Sequence, residues 1–243
     1  MQYQTFLDKI SKHPPDLENL FIESTNKLIT VTFSNPLSFK ILRENNDYLK
    51  YLEQIDYVFS DGMLLCSFIE KVRKEKIARV SFDGNSIATK VFELCKFYNK
   101  RVALVGTEEK NINTAVKKLQ DKLNIVYHRN GFFKDDAQIS QFFDELEANN
   151  IEVIIFGMGI PRQEKMLYLL KERKINGLAF TCGRYLEQVA KRGILYYPDF
   201  YNRYNLRWIY RIFDEPGKML KRYIIDYSYF YMAYIKFLIK FIL

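Results

Sequence analysis

Ile154-Ile155-Phe156-Gly157-Met158-Gly159-Ile160-Pro161-Arg162-Gln163-Glu164-Lys165 reads as an apolar strand that runs through a glycine turn into the start of a helix. An unbroken apolar run, rather than an alternating one, marks a strand buried on both faces. Proline suits the first turn of a helix, where its missing N–H has no partner to lose. The same unit recurs on either side of this stretch. Candidate strands are Leu28 to Phe33, Tyr57 to Ser60, Arg101 to Gly106, Asn124 to His128, Glu152 to Met158 and Leu178 to Cys182. Between them lie segments with apolar residues at helical spacing, such as Ser86 to Tyr98 and Ile112 to Leu123. This alternation predicts an α/β fold, a Rossmann-like and mostly parallel sheet flanked by helices on both faces.

Ligands of such sheets sit beyond the carboxyl ends of the strands. Several of those ends carry turn-forming or polar residues: Asn35, Asp61-Gly62, Gly106-Thr107, Gly157-Met158-Gly159 and Cys182-Gly183. One cleft can gather all of them. Free N–H groups at the Gly157 to Gln163 turn can hold an anion such as a diphosphate, with Arg162 or Gln163 adding directed hydrogen bonds. A Gly-x-Gly is nonetheless weak alone, and Glu164 at a helix start also simply complements the helix dipole. Asp61, at the end of an apolar strand, is placed as a general base for a hydroxyl; Asp-Gly is equally an ordinary turn. Gly106 ends a strand like those that bind nucleotides, although the full GxGxxG signature is absent. Gly131-Phe132-Phe133 offers an aromatic to a base or sugar ring, or else a turn that buries its rings. His13 and His128 are isolated, and no Asp-x-Asp pair offers a divalent metal an anchor.

The bulk properties narrow the class. With 243 residues, 48% hydrophobic, the chain can bury a sizeable core, and sparse glycine and proline exclude fibrous and disordered classes. Cys66, Cys95 and Cys182 have no zinc or disulfide spacing, which points to a reducing compartment, the cytoplasm. The first residues lack the basic and apolar regions of a signal peptide. The net charge of +8 raises two partners, nucleic acid and anionic lipid. From Arg203 onward the bases Arg203, Arg207, Arg211, Lys218, Lys221, Arg222, Lys236 and Lys240 are interleaved with Tyr, Phe, Ile and Leu, the mixture of a membrane-facing amphipathic segment. Glu215-Pro216-Gly217 should break its helix. The run Tyr227 to Leu243, with two lysines, falls short of the roughly 20 apolar residues that span a bilayer. It is expected to lie in the interface; the alternative is a terminal helix packed on its own core or on a sister chain in a homo-oligomer. Two regions follow: an α/β core over residues 1–195 and a helical, basic and aromatic appendage over residues 196–243.

In this order, Asp61-Gly62, Arg79-Val80, Ala103-Leu104-Val105-Gly106, Gly131-Phe132-Phe133, Gly157-x-Gly-x-Pro-Arg-Gln-Glu164, Leu206-x-Trp208-x-Tyr210-Arg211, Glu215-Pro216 and Arg222-Tyr223 resemble the WecG/TagA/CpsF family of bacterial glycosyltransferases. The likeness runs from about Ile29 to Tyr223. It implies an inverting transferase that moves a sugar, N-acetylmannosamine or a relative, from a UDP-sugar to a polyprenyl-diphosphate-linked sugar in cell-envelope polysaccharide biosynthesis, working peripherally at the inner face of the membrane. It implies Asp61 as the base that deprotonates the acceptor hydroxyl, and a donor-positioning role for Gln163. Asn35, Arg79, Gly106, Gly131, Phe132, Gly157, Gly159, Pro161, Arg162 and Glu164 complete the implied substrate-binding set. Arg211, Lys218, Lys221 and Arg222 would hold the lipid diphosphate as the appendage closes, with no cofactor and no metal. Fixed positive or N–H partners suit a diphosphate leaving group whether or not a metal is present. The chain departs from the family pattern at Phe33, Phe82, Glu187, Tyr196 and Arg207, which marks a divergent branch with its own donor or acceptor. The competing readings are a non-catalytic nucleic-acid-binding α/β protein and another sugar-nucleotide enzyme such as an epimerase or dehydrogenase. The first would expose its bases as a stripe rather than bed them in apolar runs, and the second requires the missing dinucleotide fingerprint.

Overall fold

A computed structural model describes residues 2–173, 175–204 and 206–242, without the side chains of residues 240–242, so the Lys240 side chain lies outside the described residues. The six strands are β1 (Leu28–Ser34), β2 (Tyr57–Ser60), β3 (Arg101–Gly106), β4 (Asn124–Arg129), β5 (Val153–Gly157) and β6 (Gly177–Thr181). They form one sheet in the order β2-β1-β6-β5-β3-β4, and every pairing is parallel. Strand ends differ from the sequence reading by no more than a residue. The helix expected over 112–123 instead spans Glu109–Leu119, and Leu123 reaches the core from the turn that follows.

Both faces of the sheet are covered, and the two-residue period of a strand sorts its side chains between them. Ala103, Val105, Ile154, Phe156 and Ala179 pack in one apolar cluster, and Val102, Leu104, Val153, Ile155, Leu178 and Phe180 in the other. This is why the strands read as unbroken apolar runs. β1 is the exception. Ile29, Val31 and Phe33 are apolar on one face, while Thr30, Thr32 and Ser34 alternate onto the other, buried beside Thr181 and Ser60 of the neighbouring strands. A polar stripe therefore runs beneath one half of the sheet.

After Gly193 the chain forms short helices at Asp199–Arg203, Arg207–Asp214 and Pro216–Lys221, a π-helical turn at Arg222–Asp226 and a last helix, Ser228–Ile242. The break at Glu215 has Pro216 at the start of the next helix. The last helix packs one side on the core: Phe230 is fully buried, edge-on to Phe39 at 5.2 Å and Phe68 at 5.4 Å. Its other side leaves Met232, Ile235 and Ile239 exposed. Among the described residues no helix is long and apolar enough to cross a membrane.

Candidate active site

The strand order brings the carboxyl ends of β2, β1, β6 and β5 side by side, and the carboxy-terminal helices lie over them. Between the two is a cavity of about 740 Å³. The core contributes Asn35, Asp61, Arg79, Gly159, Gln163 and Gly183 to its wall, and the segment above contributes Trp208, Arg211, Arg222, Tyr223 and Tyr227.

Asp61 is fixed by backbone pairing. Its N–H donates to the Ser34 carbonyl (2.7 Å), and Gly62, at φ 122°, turns the chain into the helix Met63–Arg73. Arg79 lies alongside because residues 79 and 60 form a parallel bridge, with the Val80 N–H donating to the Ser60 carbonyl at 3.0 Å. Arg79 Nη2 stands 3.5 Å from Asp61 Oδ1. The Asp61 side chain is 41% exposed, but what it faces is the walled cavity. Removal from bulk water raises its pKa; Arg79 opposes that, Asp83 adds to it, and Arg211 and Arg207 oppose it from above. A carboxylate shielded from solvent yet facing open space is suited to accept a proton from a bound hydroxyl.

Gln163 and Glu164 start the helix Arg162–Leu170, and successive helical residues point about 100° apart. Gln163 faces the cavity. Its Oε1 accepts from the Gly183 N–H (3.2 Å) and its Nε2 donates to Glu164 Oε1 (3.0 Å). Glu164 faces the sheet instead, so the substrate contact expected of it is not available. It sits on the polar stripe, accepting from Thr32 Oγ1 at 2.9 Å, and Thr32 in turn meets Thr181 Oγ1 at 2.7 Å. Burial pushes the Glu164 carboxyl up to about 7 against the hydrogen bonds from Gln163 and Thr32, and no described residue donates to its Oε2.

Other expected site residues lie outside the cavity wall. β3 and β4 form the far edge of the sheet, which carries Gly106, Gly131 and Phe132 away from Asp61. The glycines there serve close packing: a Cβ on Gly106 would stand 2.4 Å from the Gly157 carbonyl oxygen, and one on Gly131 would stand 3.0 Å from the Gly106 Cα. Gly157 and Pro161 are likewise absent from the wall. Arg162 turns back, donating to the Met158 carbonyl (2.9 Å) with its guanidinium 5.5 Å from the exposed Phe132 ring. Lys218 and Lys221 point to solvent. Arg211 and Arg222 do face the cavity, and among the described residues neither pairs with a carboxylate within 4.0 Å. Burial, with the neighbouring Arg211, lowers the Arg222 pKa. Two enclosed cations with no carboxylate in direct contact among the described residues can receive an anion.

Three charged wall residues escaped the sequence reading as site residues. Arg184 is gripped by Glu187 and by Glu215 of the segment above; only the i,i+3 spacing to Glu187 was visible beforehand. Asp83 and Arg207 meet at 2.7 Å across 124 residues of sequence. No local signal encodes that contact.

A family model, Glycosyl transferase WecG/TagA/CpsF family, matches residues 8–241. The chain belongs to that family. It is a glycosyltransferase, and the strand-end cavity is where its fold places ligands. This glycosyltransferase is 34% identical over 234 residues, 94% of each chain, to a UDP-Gal:alpha-D-GlcNAc-diphosphoundecaprenol beta-1,4-galactosyltransferase of Shigella boydii. It is 20% identical over 205 residues, 83% of this chain and 77% of the other, to an N-acetylglucosaminyldiphosphoundecaprenol N-acetyl-beta-D-mannosaminyltransferase of Bacillus spizizenii.

Proposed function

We propose that the enzyme transfers a hexose from a UDP-sugar, with inversion, to a sugar carried on a polyprenyl diphosphate, in cell-envelope polysaccharide biosynthesis. The observation that carries this reading is the opposition of Asp61 to Arg211 and Arg222 across one cavity, a base on the floor and an unmatched anion site above. In the reaction, the acceptor hydroxyl attacks the anomeric carbon as Asp61 takes its proton, and the bond to the UDP oxygen breaks with its electron pair. Arg211 and Arg222 hold a diphosphate in place of a metal, and fixed charges in an enclosed site act more strongly than in water. Gln163, held from both ends, positions the donor, and Asn35 and Arg79 face the same space.

For the donor, the 34% identical relative supports UDP-galactose ahead of UDP-N-acetylmannosamine. Both relatives are named for acceptors on diphosphoundecaprenol, which supports a lipid-borne acceptor and a peripheral location on the cytoplasmic face of the membrane. Exposed Phe213, Ile224 and Ile225, with Lys218 and Lys221 between them in sequence, suit the headgroup layer. The test is UDP release from UDP-galactose, UDP-N-acetylmannosamine and UDP-N-acetylglucosamine, with a short polyprenyl-diphosphate N-acetylglucosamine in anionic vesicles. Acceptor-dependent release from UDP-galactose, unchanged by chelator, is the expected result. Release from none of the three donors overturns the reading.

A further inference from the structure

Asp83 is the meeting point of the two halves of the active site. It is 8% exposed. Its Oδ1 accepts from the Asn85 N–H (2.9 Å) and its Oδ2 from Ser81 Oγ (2.5 Å), so its own loop fixes its orientation. Two guanidinium groups approach that same Oδ2. Arg79 Nη2, which also donates to Ser81 Oγ at 3.2 Å, lies 3.8 Å away, and the same nitrogen stands 3.5 Å from Asp61 Oδ1. Arg207 Nη1 reaches Oδ2 at 2.7 Å from the carboxy-terminal segment. Arg207 is itself immobilised, with Nε donating to Asn202 Oδ1 at 2.6 Å and the guanidinium lying 4.9 Å from the centre of the Tyr197 ring. The charged chain Asp61–Arg79–Asp83–Arg207 thus alternates in sign from the floor of the cavity to its roof, and all four side chains line it.

We infer that Asp83 and Arg207 are a positioning pair for the transfer reaction: Asp83 holds Arg79 against Asp61, and Arg207 occupies Asp83 only when the carboxy-terminal segment is seated over the cavity. Seating of the segment and the charge state of the base are therefore linked. The inference rests on Asp61 being the base. It has directional consequences, because Asp83 itself disfavours the ionised form of Asp61, but less than the Arg79 it holds favours it, and Arg207 also favours it. Other charges face Asp61 too. Arg79 and Arg211 favour its ionised form. The hydroxyls of Tyr197, Tyr223 and Tyr227 from the roof and the Cys66 thiol from the following helix also couple to it, and their pKa values are all raised, chiefly by burial. None of these groups is itself substituted in the variants below.

The experiment is the pH profile of kcat/KM for wild type, Asp83→Asn, Arg207→Gln, Arg207→Lys and Asp61→Asn, each checked by thermal melting. The acid limb reports the free enzyme's base. In Asp83→Asn the limb moves to higher pH, because the loss of Arg79 from beside Asp61 outweighs the loss of the Asp83 charge, and in Arg207→Gln it also moves to higher pH. Each lowers the plateau roughly ten- to a hundredfold through misplacement of Arg79 or of the segment. Arg207→Lys keeps the charge opposite Asp83 and leaves the limb near its wild-type position, and Asp83→Asn decides the matter even if the glutamine variant does not fold. A limb of Asp83→Asn that superimposes on wild type or moves to lower pH shows that Arg79 stays beside Asp61 without it, and overturns the inference while leaving Asp61 as base; so does an Arg207→Gln limb at or below its wild-type position. Retained activity in Asp61→Asn overturns the base assignment, and the inference with it.

Discussion

The α/β core and the carboxy-terminal segment are held by different forces. Each sheet face packs an apolar cluster of fully buried aliphatic and aromatic side chains, the non-directional kind of stabilisation that neither salt nor pH readily disturbs. The helices Asp199–Arg203 and Arg207–Asp214 bury no residue fully, and Pro216–Lys221 buries only Met219. Ion pairs tie the segment to the core: Arg184 with Glu215, Arg192 with Asp214, Arg207 with Asp83 and Lys40 with Asp226. A roof seated by charge can lift while the floor stays folded. The arrangement also brings cations over the cavity, where a substrate diphosphate would be held.

The largest way to break the comparison is in the floor. Asp61→Asn removes the only proton acceptor assigned to the reaction and leaves every apolar contact of the core in place. We expect kcat to fall by at least about a hundredfold, the usual scale for a positioned base, with the melting temperature nearly unchanged. Turnover within tenfold of wild type would remove the chemistry from the floor.

How much of this was legible in the sequence divides along the same line. The core was legible because its signals are local: apolar runs of strand length, helical spacing between them, and polar residues where strands end. Asp61, Asn35 and Gln163 were found by that route, and the strand order explains why Gly106, Gly131 and Phe132 were grouped with them although they line no part of the cavity. Sequence order cannot say that β6 is inserted between β1 and β5 or that β3 and β4 lie on the far edge. Nor can a glycine at a strand end declare whether it leaves room for a ligand or, as at Gly106, for the next strand's carbonyl. In the segment, composition marked the bases but not their partners. Arg207 and Lys218 looked alike, yet one is tied to a carboxylate 124 residues away and the other faces water.

A smaller effect separates roof from floor by acid. Burial alone would raise Glu187, but hydrogen bonds from Arg184 and Lys191 outweigh it and hold its pKa at about 2. The Arg184 hydrogen bond leads the causes that hold Glu215 at about 2 as well, against burial and with help from Lys191. Both folded values lie below the ordinary 4.5, so their stabilisation is complete above pH 4.5 and is lost as pH falls from there towards 2. The single tryptophan, Trp208, lies on the segment. Its fluorescence should change at a higher pH than the far-ultraviolet circular dichroism of the core, and added salt should widen the gap. Coincident transitions would mean that the two regions unfold as one.

The last effect lies within the core, where the polar stripe breaks the apolar rule. Burial sets the Glu164 pKa at about 7, above the unfolded value of 4.5, and the sign is opposite to that of Glu215. Below pH 4.5 the carboxyl is protonated in both states and contributes nothing pH-dependent. As pH rises from 4.5 to 7 the unfolded chain loses the proton while the folded one keeps it, so stability falls, by up to about 3 kcal/mol once pH is well above 7. Glu164→Gln preserves an acceptor for Thr32 and Gln163 and places a permanently neutral group at the second oxygen. At pH 4 the variant and the wild type are both neutral at this position, so their denaturant midpoints should lie closest there. At pH 8 the variant should be the more stable. A difference that stays constant from pH 4 to 8 would show that Glu164 is not the strained group, and that the stripe is as indifferent to pH as the apolar core around it.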